Sequence, residues 1–238
     1  MIKFFRNTRK QLFTENKFTK YLFYAIGEII LVVIGILIAL QFNNWNIDRI
    51  ERQEEKKLYR NIQRQIEDDR KELTHFKAIN NYFSATYKHA NKIIRAQDFT
   101  KSDSLALIAM GLSQYSDFNS SGNIYETLVN SGNLKLLKND EITSSIQQLE
   151  TTYINVNKLE TIHWDIIMNE LTPLLKSTVN YDAFKAVKPE KLYEVEMQNF
   201  FVESIYLTSA KDTVYSKALR EIDAIIELIN TELGTVSD

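Results

Sequence analysis

The most specific chemical spacing in the chain is Glu-x-x-His, which occurs twice, as Glu72 with His75 and as Glu160 with His163. In helical bundles, two such pairs on separate helices, joined by two further inward glutamates, hold a di-iron centre. That chemistry requires both pairs to face the core, and a helical wheel at about 100° per residue tests the requirement. With Leu149 as reference, Tyr153, Val156, Glu160, His163 and Ile167 fall within about 40° of one line, so this pair faces inward. Measured against the seam from Ile66 to Tyr87, His75 points about 120° away, toward solvent. One inward pair is half of what iron needs. No metal and no other cofactor is therefore expected, with Glu160 and His163 as the weak candidates for a metal. The plainer reading makes His163 a core-edge histidine hydrogen-bonded to a neighbour. His89 stands alone, no nucleophile elbow is present, and no glycine-rich loop joins a strand to a helix. The absence of cysteine excludes disulfides, thiolate zinc sites and cysteine nucleophiles together. An enzyme is not expected.

Glu28 is the other residue that stands out, because of where it lies. Tyr21–Phe42 is an apolar run carrying this one charge, and at about 1.5 Å per residue it is long enough for a hydrocarbon core. A carboxylate there costs on the order of 2–3 kcal/mol unless it is protonated, paired or facing water. On the wheel, Gly35 and Ala39 lie within about 20° of Glu28, and Val32 within about 40°. Gly35-x-x-x-Ala39 permits close helix approach, so Glu28, Val32, Gly35 and Ala39 define a candidate transmembrane interface. The alternative is that Glu28 snorkels to the headgroups or pairs with a base of the preceding segment. Tyr21, Tyr24 and Trp45 flank the run as interfacial anchors.

These positions imply an order of elements. Residues 1–20 are a basic cytoplasmic segment of net charge +5, residues 21–42 a transmembrane helix, and residues 43–238 an extracytoplasmic domain of net charge −6. The run is too long for a signal-peptide core, and no small-residue cleavage site follows it. A buried core helix would show a polar face, and Ile29–Leu40 shows none. Bases also follow the span closely, so charge favours an inside N-terminus only slightly. A net acidic domain with no basic stripe argues against nucleic acid as a partner.

Only 6 glycines and 2 prolines occur in 238 residues, which predicts long helices rather than a turn-rich β protein. Ile62, Ile66, Asp69, Leu73, Phe76, Asn80, Phe83, Tyr87, Ala90 and Ile94 keep 4-3 spacing, in a helix from near Asp48 to near Ala96 that is open to continuity with the span. Asp69 and Asn80 in this seam read as register markers or as looser packing, and looser packing is the preferred reading. A shorter helix covers Ser102–Tyr115. Asn123 with Glu126 reads as an N-cap, and Gly132 as the left-handed residue that ends a short helix. A long helix from about Asp140 to Thr172 should stop at Pro173. Pro189 suits the first turn of a further helix, and Tyr215, Leu219, Ile222, Ile226, Ile229 and Leu233 form a final seam. No β alternation is evident. The fold expected is all-α: one N-terminal transmembrane helix followed by an antiparallel helical bundle.

The run Glu15-Asn16-Lys17-Phe18, Lys20-Tyr21, Ala25-Ile26-Gly27-Glu28-Ile29, Leu31 to Leu40 and Asn43-Asn44-Trp45 resembles an uncharacterised family of bacterial single-pass membrane proteins. Tyr125-Glu126, Leu128, Ser131-Gly132, Leu134 and Asn139 carry a second part of the likeness. The resemblance implies inner-membrane placement with a periplasmic helical domain, and it supplies no activity. The functional expectation is a non-enzymatic, membrane-anchored scaffold or interaction module, partnered by the lipid bilayer and by further copies of itself or another membrane protein. Two alternatives stand beside it. One is a component of an ion- or proton-conducting complex that titrates Glu28; the other is a periplasmic sensory subunit, for which twenty residues before the span provide no output domain.

Overall fold

The computed structural model describes residues 17–114, 118 and 123–234, with side chains described from Leu22 onward apart from Tyr24. Helix α1 is unbroken over Lys17–Arg95. No proline interrupts this stretch, its only glycines are Gly27 and Gly35, and an asparagine costs a helix about 0.7 kcal/mol or less. The polar collar Asn43–Asn46 therefore continues the helix instead of ending it. By compactness the chain forms two units, residues 1–54 and residues 55–238.

In the first unit, an 18-residue window of mean hydropathy 2.5 has none of its residues buried. By length and composition this helix is able to cross a membrane.

The second unit holds the rest of α1, then a 3-10 turn Phe99–Lys101, α2 (Ser102–Gly111), α3 (Ile124–Asn130) and α4 (Asp140–Ile166). A π-helical segment Ile167–Leu171 joins α4 to α5 (Thr172–Thr178). After it come a hairpin of β1 (Val179–Asn180) and β2 (Lys185–Ala186), a 3-10 turn Pro189–Tyr193 and α6 (Val195–Leu233). Side-chain bonds set the directions of the long helices. Gln63 donates to Asn230, Arg70 pairs with Asp223, and Gln198 donates to Asn91, so α6 runs antiparallel to α1. Tyr215 reaches Glu160 and Lys211 reaches His163, so α6 is antiparallel to α4 as well. Helices α1 and α4 share a direction because the short helices between them carry the chain back.

The caps follow the sequence. Asn123 accepts the Glu126 N–H at 3.0 Å, and Gly132 takes a φ of +69°, a conformation that costs glycine least. Elsewhere the chain departs from expectation. Helix α2 ends at Gly111, short of Tyr115. Pro173 does not stop the helix, because it sits in the first turn of α5, where its missing N–H is not needed. The 3-10 turn at Pro189 is separate from α6, and the hairpin registers Val179 with Ala186 and Asn180 with Lys185, too short to show as alternation. Helix α6 buries Tyr215, Ala218, Ile222, Ile225 and Ile229, while Leu219, Ile226 and Leu233 only flank that line.

Candidate functional site

The interior of the second unit holds two apolar clusters with a polar layer between them. One cluster packs Ile62, Ile66 and Leu73 against Ile146, Val156 and Ile222; the other packs Tyr87 and Ile94 against Leu105, Leu171, Met197 and Phe201. On every long helix the buried line turns polar between the two. It does so at Asn80 on α1, at Glu160 and His163 on α4, and at Ser204, Thr208 and Lys211 on α6, all at most 9% exposed. Burying such groups costs several kcal/mol unless they are hydrogen-bonded, and here partners are at hand.

Glu160 accepts the Tyr215 hydroxyl and the Phe118 N–H, each at 3.0 Å. Asn80 donates to the Thr208 carbonyl at 2.8 Å. Lys211 Nζ lies 3.1 Å from His163 Nδ1. A lysine ammonium can only donate, so Nδ1 accepts and the ring proton sits on Nε2. That tautomer also suits the ring's hydrogen bond to the Leu112 backbone. Burial, and then the Lys211 charge, push His163 down to about 4, with the Leu112 bond opposing. Burial pushes Lys211 down to about 8, against the pull of the Glu160 carboxylate. A cavity of about 20 Å³ bounded by Asn80, Gln114, His163 and Lys211 adjoins the layer, close to the size of one water-sized sphere. The layer sets a neutral imidazole beside the Lys211 charge, with the Glu160 carboxylate near enough to favour that charge.

Glu160 and His163 thus meet Tyr215 and Lys211. His75 lies exposed on α1, and among the described residues no three His, Asp or Glu side chains converge as a metal set. Asp69 and Asn80 correct the expectation of looser packing. Tyr153 donates to Asp69 at 3.0 Å, both side chains being buried. Glu55 is buried too, accepting from Tyr59 at 3.2 Å and from the Lys138 N–H at 3.0 Å. Sequence reasoning missed Lys211 and Glu55, and the signal was there. The 4-3 line through Tyr215 extends back through Lys211, Thr208, Ser204, Phe201 and Met197, and the line through Ile62 extends back through Tyr59 to Glu55.

In the first unit Glu28, Val32, Gly35 and Ala39 are all exposed on α1, and nothing lies within 4 Å of where a Cβ on Gly35 would sit. Trp45 is exposed, with the Arg49 guanidinium 5.5 Å from its ring centroid. The side chains of Tyr21 and Tyr24 lie outside the described residues, as do residues 1–16 and Ser121-Gly122.

An apolar N-terminal helical stretch and a helical unit with a buried polar layer define an all-α protein in which, among the described residues, one helix is long and apolar enough to cross a membrane. The sequence pattern of DUF6090, a family of unknown function, matches residues 28–186, well over half of the chain. The protein belongs to that family. No curated protein and no solved structure matches the chain.

Proposed function

We propose that this protein is a non-enzymatic, membrane-anchored interaction module. In this reading residues 21–42 cross the bacterial inner membrane, residues 1–20 are cytoplasmic, and the helical unit stands in the periplasm as part of an oligomer. The observation that carries it is the uncovered apolar helix. From Leu22 to Phe42 fourteen large apolar side chains are exposed. Leaving them in water forfeits on the order of 20 kcal/mol, more than a domain's whole net stability. A bilayer removes that cost. Against an enzyme stands the polar layer, whose groups are buried and paired with one another.

The test takes the full chain from its native membrane in mild detergent and measures the protein mass of the particle, with an export-dependent reporter fused after Asp238. A mass of at least two 27.8 kDa chains and an active reporter are expected. A particle of one bare chain overturns the interaction reading, and an inactive export reporter with an active cytoplasmic one overturns the orientation.

A further inference from the structure

A groove of about 360 Å³ lies between the Leu58–Gln65 stretch of α1 and the segment from α3 to Asn133. That size falls at the small end of ligand sites. Its floor is aliphatic: Ile62, Ile124 and Leu128 are buried side chains that surface here, beside the half-buried Leu58. Its rim is amide and hydroxyl, from Asn61, Gln65, Thr127, Ser131 and Asn133. Among the described residues Gln65, Thr127 and Asn133 make no side-chain hydrogen bond, so their donors and acceptors are uncommitted.

One charge lines the groove, and it is positive. Arg64 bonds to Asn61 Oδ1 at 3.4 Å, which ties the guanidinium to the rim. Among the described residues it pairs with no carboxylate: Asp68, one turn on, is taken by Lys71 at 2.7 Å, and no acid lines the groove. An arginine uses five donors in a planar fork that matches a carboxylate. We propose that the groove between α1 and α3 binds a small carboxylate with an adjoining amide and a short aliphatic body, its anion on Arg64, its amide on the Gln65–Thr127–Asn133 rim and its alkyl group on the Ile62–Leu128 floor. An N-acylated aliphatic amino acid and the last residue of a peptide chain both present that chemistry. Two facts favour the anion over a neutral ligand: among the described residues Arg64 is in no ion pair, and no carboxylate lines the groove.

This assignment is independent of the oligomeric reading, because every lining residue belongs to the second unit of one chain. The probe is labelled N-acetyl-L-leucine, measured by equilibrium dialysis against the full chain in lipid nanodiscs. N-acetyl-L-leucinamide and a tetrapeptide ending in leucine are run beside it. Saturable binding of one N-acetyl-leucine per chain is expected, about tenfold or more tighter than the uncharged amide, since a charge-assisted contact is lost. Arg64→Gln should make the acid and the amide bind alike. Arg60→Gln, a neighbouring arginine outside the groove, should change nothing. Thr127→Trp should fill the groove and abolish binding; Thr127 is exposed, and unchanged helicity by circular dichroism verifies the fold. A tetrapeptide that binds more tightly than the free acid assigns the natural ligand to a chain terminus; one that binds less tightly assigns it to a small molecule. No saturable binding in the millimolar range, equal binding of acid and amide by the native chain, or affinity indifferent to Arg64→Gln would each overturn the proposal. None of these results touches the particle mass.

Discussion

His163 illustrates how much a single buried group can write into the behaviour of the whole unit. Its folded value near 4 lies below the ordinary 6.5, so the folded state binds this proton less readily than the unfolded one. Its stabilising contribution is therefore complete above about pH 6.5 and is lost as pH falls toward 4. By pH 5 the loss attributable to this residue is about 2 kcal/mol. Lys211 has the same sign at higher pH. Its folded value near 8 means that the cost of burying its charge is present below pH 8 and is relieved as pH rises toward 10.5. Among the described residues, the polar groups beside His163 include Lys211 from α6, Asn80 from α1 and Gln114 after α2. The share of the acid limb that belongs to His163 is isolated by a variant that lacks the imidazole. His163→Gln keeps an acceptor for Lys211 and removes the titration. Urea unfolding followed by circular dichroism should show the native chain losing about 2 kcal/mol between pH 7.5 and 5 relative to that variant. Parallel pH curves for the two proteins would refute the burial of a neutral His163 beside Lys211.

At the scale of elements, one residue of register separates what could be read from what could not. The helix α1 seam was legible because its 4-3 spacing runs from Ile62 to Ile94 with only Asp69 and Asn80 polar, and Asn123 and Gly132 were legible because caps are local chemistry. On α6 Tyr215, Ile222 and Ile229 are buried as the seam predicts, whereas Leu219, Ile226 and Leu233 each miss the buried line by one residue. Ile225 and Ile226 are both apolar, as are Ala218 and Leu219, so hydropathy alone does not choose between the two lines. The structure buries Ile225 fully and leaves Ile226 at the flank. Ile225→Asp should cost more than about 4 kcal/mol by placing an unpaired charge in the core, and Ile226→Asp only about half as much. Comparable losses, or the reverse order, would restore the shifted seam. The α4–α5 junction was illegible for a related reason. A strict 4-3 line from His163 and Ile167 leads to Glu170 and Leu174, but the π-helical segment adds one residue to the turn. Leu171 and Leu175 are the buried positions instead, and Glu170 lines an open groove. That extra residue keeps the apolar face toward the core as the chain enters the turn with Pro173, and a single-turn π-bulge shifts the buried line in a way that a fixed period does not reveal. The polar layer was half visible, in Glu160 and His163, because their partners arrive from residues about 50 positions away.

For the molecule as a whole, the open matter is what covers the face of α1 that carries Glu28 and Gly35. Seven residues make nearly two turns, so the two positions project the same way, with Ala39 one further turn along. Within the chain Gly35 has no neighbour within 4 Å of a substituted Cβ, and a leucine there strains nothing of its own protomer. Any loss caused by Gly35→Leu must therefore report contact with another helix. Gly27 is equally open within the chain and sits about 100° around the helix from Glu28, so Gly27→Leu is the matched control. If copies of the chain meet at the Glu28–Gly35–Ala39 face, Gly35→Leu should dissociate the particle and Gly27→Leu should leave it whole. Glu28→Gln keeps shape and hydrogen bonding while removing the charge. A scaffold should assemble normally with it, whereas a proton-conducting complex should assemble and fail to conduct. Glu28→Leu should insert at least as well as the native chain, since the cost of the acid disappears. The direct measurement is crosslinking of single cysteines placed along residues 28–39 in native membranes, in a chain that contains no other cysteine. Efficient crosslinks at positions 28, 35 and 39 with weak ones at 30 and 37 are expected. Uniform crosslinking, or none, would leave Glu28 snorkelling to the headgroups and the helix as an anchor alone.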